Sequence, residues 1–283
     1  MLLSSICSTF VGGFAKELSL SMDSMEVVFF RNVVGVILVA LTFLKVPVRQ
    51  KGGKPFLLFF RGLMGFSSLV AFFYNIAHIP LADAITFTKT SPMLTALFAY
   101  LFLKEKMSSN AILALIFGFV GMVFIMKPNG LMLELTDILG IFSGVGAALA
   151  YTSVRELKQY YDTRVIVLSF MLTGTIGPII LMFFSSYITI DGLEFLKASL
   201  VVPDMKMWFL ILGLGVFATG TQTFLTKAYG VTKAGIVGAV SYSTILFSLV
   251  LGVTLGDSLP DLFGTIGIVL VVFGGLLVAK EKG

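Results

Sequence analysis

The sequence predicts an all-α integral membrane protein of ten transmembrane helices, arranged as two inverted five-helix repeats. Three observations carry this. Hydrophobic residues make up 57% of the 283 residues and charged residues 12%, with a mean hydropathy of +1.02, far from the mix of soluble domains. Apolar runs long enough to cross a hydrocarbon core of roughly 30 Å recur from end to end. The two halves also align weakly with each other, and an odd number of spans in each half turns the second upside down.

The spans follow from apolar runs read against polar breaks. The first, about 2 to 20, lacks a basic n-region and a small-residue cleavage site, so it reads as a span rather than a signal peptide. The next spans are 25 to 44, then 56 to 78 after the break KVPVRQKGGKP, then 81 to 103 and 109 to 126. KPNG separates these from 136 to 154, 165 to 188, 207 to 227 and 234 to 255, and GDSLPD precedes 259 to 279. Only 183 to 206 reads as a long loop or a surface-lying segment. The repeats divide as 1–127 and 134–283, forming one structural unit.

Orientation follows from loop charge. One set of alternate loops holds thirteen Lys and Arg residues (45, 49, 51, 54, 104, 106, 155, 158, 164, 227, 233, 280 and 282), and the other holds three (Lys127, Lys197 and Lys206). Both termini are therefore expected in the cytoplasm, with the chain in the plasma (inner) membrane. The net charge of +5 reflects this asymmetry and calls for no nucleic-acid partner. One cysteine, Cys7, and one histidine, His78, leave no internal disulfide and no multi-His or Cys/His metal pattern. No cofactor and no catalytic set is expected: the sequence pairs no nucleophile with a histidine base and has no P-loop.

The repeat signal is clearest where residues 75 to 108 align with 226 to 260 at an offset of about 151 to 153. Inverted repeats characterise secondary transporters, whose sites lie near the midplane where the repeats meet. The sequence also resembles a family here, on GGFAKEL (12 to 18), EVVFFRNVVGV (26 to 36), RGLMGFSSLVAFFYNIAHIPLADA (61 to 84) and TSPMLTALFAYLFLKEK (90 to 106). In the second half the matching stretches are AYGVTKAGIVGAVSY (228 to 242) and LGDSLPDLFGTIGIVLVVFGGLLV (255 to 278). These resemble the drug/metabolite transporter superfamily, and within it the EamA-type ten-helix permeases. The chain departs from the family's usual Gly-Glu pair, with Lys104 before Glu105 and Asp257 after Gly256. Lys89 stands where the family often has an uncharged residue.

Ionisable groups inside spans cost about 2.5 to 3.5 kcal/mol each at the centre, so each needs a reason. Arg61, near a membrane edge, is expected to snorkel as an anchor. Lys16 pairs locally with Glu17, snorkels, or is functional. Arg31 is too deep to snorkel easily, and faces either a solute or a hydrogen-bond network between helices. Lys89 is the deepest, close to the middle of its span. Pro92, three residues on, leaves the Thr88 carbonyl without its usual donor and should kink the helix. Thr86, Lys89, Thr90 and Met93 are expected to share one cavity-facing stripe. A desolvated lysine can also take up and release a proton, so Lys89 is a candidate for proton coupling.

The substrate-binding candidates are thus Lys89, Arg31, Tyr74, Asn75, Tyr151, Gln222 and Tyr242, with helix-to-helix hydrogen bonding as the alternative for the uncharged ones. The expected function is alternating-access transport of a small polar metabolite. Basic groups outnumber acids within the spans, which favours an organic anion or amino acid, and the resemblance favours export. A flippase for lipid-linked head groups and a channel or scaffold are the alternatives. The partners expected are a small-molecule substrate and membrane lipids, with the chain a monomer or homodimer. Glycine pairs such as GIFSG (140 to 144) and GVTLG (252 to 256) are expected to let helices approach closely.

Overall fold

The computed structural model describes residues 1–48, 51–103, 109–126, 134–184, 196, 201–231, 237 and 240–279. Over these the chain is helical, with no strand. The helices are α1 Leu2–Leu18, α2 Ser24–Lys45, α3 Pro55–His78, α4 Leu81–Thr88, α5 Ser91–Leu103, α6 Ser109–Met126, α7 Leu135–Leu157, α8 Thr163–Phe183 and α9 Met205–Val231. They are followed by α10 Ser243–Thr254 and α11 Leu262–Ala279. Among the described residues, five helices are long and apolar enough to cross a membrane: α2, α3, α7, α8 and α9. Most of the stretch 183 to 206, Glu105 and the start of the ninth expected span lie outside the described residues.

Helix starts follow local chemistry. Asp23 caps α2, and Glu26 reaches back to the Asp23 amide at 2.9 Å, satisfying orphan donors at both positions. Glu134 and Asp137 form the same box at the start of α7. Pro55 opens α3 where no amide donor is needed, and Asp162 caps α8 by accepting from the Arg164 amide at 2.8 Å. Arg164 also donates to the carbonyls of Val46 at 2.8 Å and Thr42 at 3.2 Å, fastening the end of α2 to the start of α8.

One expected span differs from expectation. Residues 81 to 103 are two helices, broken at Lys89 and Thr90, instead of one kinked helix. Pro92 consequently falls in the first turn of α5, where its missing N–H costs nothing. The break also scatters the expected polar stripe. Thr86 is buried and bonds back to the Ala82 carbonyl at 2.7 Å, Thr90 to that of Phe87 at 2.7 Å, and Met93 packs on Gly118.

The helices pack as α3 on α7, α1 on α9, α2 on α8, and α6 on α11, while α10 lies against α4. Phe73, Ile76, Met93, Ile211, Leu214, Ile245 and Val271 belong to one buried cluster that runs through helices of both halves, while Ile37, Phe119, Phe209, Val250 and Val269 point outward, as expected where the surroundings are lipid. Gly140 and Gly144 seat the Phe87 ring and the Thr90 hydroxyl. The second glycine of GVTLG differs: Gly256 has φ +97° and forms a turn.

Candidate functional site

A cavity of about 1010 Å³, counting its open mouth, is walled by α1, α2, α3, α7, α8, α9 and the broken helices around residues 89 and 242. It reaches the end of the bundle at which Met1 lies. At the other end Lys16 pairs with Asp257, and the second oxygen of Asp257 accepts from the Leu81 amide at 3.0 Å. Lys16 therefore meets an acid from the far half of the chain, and its expected local partner Glu17 is not the one it takes.

Four of the seven expected substrate residues line this cavity: Arg31, Lys89, Tyr151 and Gln222. Tyr74, Asn75 and Tyr242 stand outside the lining. Tyr74 stacks on His78, ring centroids 4.0 Å apart, near the far end of α3. Asn75 donates to the Thr136 carbonyl at 2.9 Å, joining α3 to α7. The Tyr242 hydroxyl donates to the Lys89 carbonyl at 3.0 Å, so it holds the lysine's backbone rather than facing the open space.

Arg61 overturns its expected role. It is 2% exposed, lines the cavity, and donates through Nη2 to Gln222 Oε1 at 3.2 Å. Its guanidinium carbon lies 4.4 Å from the centre of the Phe170 ring, and that of Arg31 lies 5.5 Å from the same ring, in the range of cation–π attraction. A snorkelling anchor would reach headgroups; this arginine is walled in by α8 and α9.

Arg31, also 2% exposed, donates through Nη1 to Asn32 Oδ1 at 2.8 Å. Asn32 in turn donates to the carbonyls of Val28 at 2.7 Å and Gly174 at 3.3 Å, which fixes its amide across the α2–α8 contact. Gly174 leaves the room this needs, since a Cβ there would stand 2.7 Å from Asn32 Cγ. Gly65 does the same for Phe170, whose ring carbon Cδ2 would lie 2.7 Å from an added Cβ. Three nitrogens of the pair, Arg31 Nε and Arg61 Nε and Nη1, are buried without a partner.

Lys89 sits at the helix break, its amide bonded to the Ile85 carbonyl at 3.0 Å and its carbonyl to Tyr242. Among the described residues no carboxylate pairs with its ammonium. None of the described residues lining the cavity is Asp or Glu. Serines 4, 5 and 8 of α1, Tyr229 stacked on Tyr151 at 5.4 Å, and Phe170 complete the polar and aromatic wall. Sequence reasoning missed these. The serine-rich start SSICS carried a signal, three hydroxyls close to one helical face, whereas nothing local marks Phe170 among 28 phenylalanines.

A helical membrane protein with a cationic cavity has the form of a transporter, and comparison with known proteins places it: the chain belongs to the EamA-like transporter family, whose family model matches residues 1–127, within the drug/metabolite transporter superfamily. It is a multi-pass membrane transporter. A Helicobacter pylori (strain J99) protein named an uncharacterized transporter is 34% identical over 99% of this chain and 93% of its own length. The pseudopaline exporter CntI of Pseudomonas aeruginosa is 32% identical over 99% of this chain and 94% of its own. Solute carrier family 35 member G1 of Mus musculus is 27% identical over 92% of this chain and 71% of its own. A solved crystal structure matches with a TM-score of 0.64 at 17% identity, covering 97% of this chain and 94% of that one, which shows the shared fold.

Proposed function

We propose that the chain is a secondary transporter that moves a small organic anion or amino acid by alternating access, in the direction of export. The observation that carries it is the cavity's charge: among the described residues, Arg31, Arg61 and Lys89 line it and no acid does. Buried cations without a counter-ion are unfavourable, and a carboxylate-bearing solute supplies one. Tyr151 and Gln222 add neutral hydrogen-bonding groups that can orient it. Lys89, placed at the break with no carboxylate partner among the described residues, is also the candidate for proton coupling.

The inverted ten-span arrangement is supported by the packing partners. If α1 corresponds to α7, α2 to α8, α3 to α9, and α6 to α11, the α3–α7 contact exchanges with α9–α1. The α2–α8 and α6–α11 contacts then map onto themselves. That is the behaviour of a pseudo-twofold axis, and alternating access then amounts to rocking of the repeats about the cavity. Export, both termini in the cytoplasm and an inner-membrane location accord with the loop charges and with CntI being an exporter. Counterflow of carboxylates in proteoliposomes tests this. Lys89→Met is expected to cut flux by about tenfold or more and alter the competition profile; an unchanged profile would remove the anion preference.

A further inference from the structure

Resting on the anion-transport reading above, we infer that the site has two cationic poles and therefore selects solutes carrying at least two oxyanion groups. The first pole is the arginine pair. Arg31 and Arg61 come from neighbouring helices and face the same Phe170 ring at 5.5 and 4.4 Å. Each guanidinium has five donors in a planar fork that suits carboxylate or phosphate oxygens. The protein acceptors shown for them are Asn32 Oδ1 and Gln222 Oε1, one each and both neutral. The ring face attracts cations through its quadrupole but carries no net charge. Two charges thus remain uncompensated at this pole, with Arg31 Nε and Arg61 Nε and Nη1 buried and unpartnered.

The second pole is at the helix breaks. α5 begins at Ser91, two residues after Lys89, and α10 begins at Ser243, directly after Tyr242. The Tyr242–Lys89 hydrogen bond joins the two breaks. Ser91, Pro92, Ser241 and Thr244 all line the cavity, so the positive ends of two half-helices open on it. Beside them is Lys89, also in the lining, and Thr244 Oγ1, 0% exposed for the residue, has no partner. A monocarboxylate neutralises one pole and leaves the other bare. A solute with two oxyanions satisfies both, and carboxylate and phosphate share the chemistry needed.

The test is counterflow with the full chain in proteoliposomes at fixed ionic strength. Citrate, succinate and 3-phosphoglycerate, each with at least two oxyanion groups, are compared with lactate, acetate and alanine. The multivalent anions are expected to compete at concentrations about tenfold lower than the monovalent ones; the carboxylate and phosphate arms tell which oxyanion is taken. Arg31→Gln is expected to reduce that preference ratio by about tenfold, and Arg31→Lys, which keeps charge without the fork, by less. Equal competition by mono- and multivalent anions in the unaltered protein overturns the two-pole site while leaving anion transport standing. Absence of flux for every anion overturns both. The comparison on the unaltered protein needs no variant to fold.

Discussion

Lys89 is fixed by its backbone and left free at its tip. Its amide and carbonyl are both engaged, and the carbonyl's donor is a tyrosine hydroxyl from a helix 153 positions further on. Tyr242→Phe removes that one bond and keeps the ring that packs on Gly275. The expected cost is about 1 kcal/mol, seen as a fall of roughly 2 to 4 °C in apparent melting temperature, together with weaker solute affinity as the lysine's position loosens. Unchanged melting and affinity would show that the bond positions nothing. Lys89 and Arg31 were legible from the sequence because depth in an apolar run is a local property, countable from the span ends. The surroundings of Arg61 were not legible. Its distance from Pro55 suggests an edge, but what covers it, Phe170 and Gln222, arrives from helices more than a hundred residues on.

At the scale of elements, hydropathy located the described helices but not the break inside one of the expected spans. The run ADAITFTKTSPMLTALFAYLF is apolar throughout apart from Asp83, Lys89 and a few hydroxyl-bearing residues, and Pro92 tells of a disturbance without saying whether the helix bends or stops. It stops because the Lys89 carbonyl has an outside donor, so the chain can give up a helical turn at that point. The opposite case is the α6–α11 pair. A Cβ on Gly121 would stand 2.8 Å from the Gly267 carbonyl oxygen, and one on Gly267 would stand 2.6 Å from that of Gly121. Neither helix contributes to the cavity. Gly121→Val should therefore overpack the crossing, destabilising by about 1 to 3 kcal/mol, and leave the order of competing solutes as it was. Melting in detergent and competition counterflow measure the two separately; a changed solute order would mean that this crossing shapes the cavity after all.

For the whole molecule, the cavity reaches one end of the bundle and the Lys16–Asp257–Leu81 contact holds the other. Alternating access would require that contact to part when the far side opens. Asp257→Asn weakens the ion pair while leaving an acceptor for the Leu81 amide. Hydrogen exchange at residues 79 to 84 is then expected to quicken by about tenfold, the factor that ~1.4 kcal/mol gives, while exchange in the serine-rich start of α1 slows as that end closes. Exchange unaltered at Leu81 would mean that apolar packing alone holds this end. Lys16 and Asp257 were individually visible in the sequence. Their pairing was not, because 241 residues separate them and only the fold brings them to one place.

The lack of acids among the described residues that line the cavity with Arg31, Arg61 and Lys89 reaches beyond recognition to energetics. If the solute is the counter-ion, the loaded carrier moves through its cycle nearly neutral at its centre, whereas the empty one carries its positive charges through the same rearrangement. A membrane voltage is worth about 2.3 kcal/mol per elementary charge per 100 mV when that charge crosses the whole field. Voltage would then act chiefly on the empty half of the cycle, and a cell with a negative interior would pull the unloaded site back toward the cytoplasm, where the next solute waits.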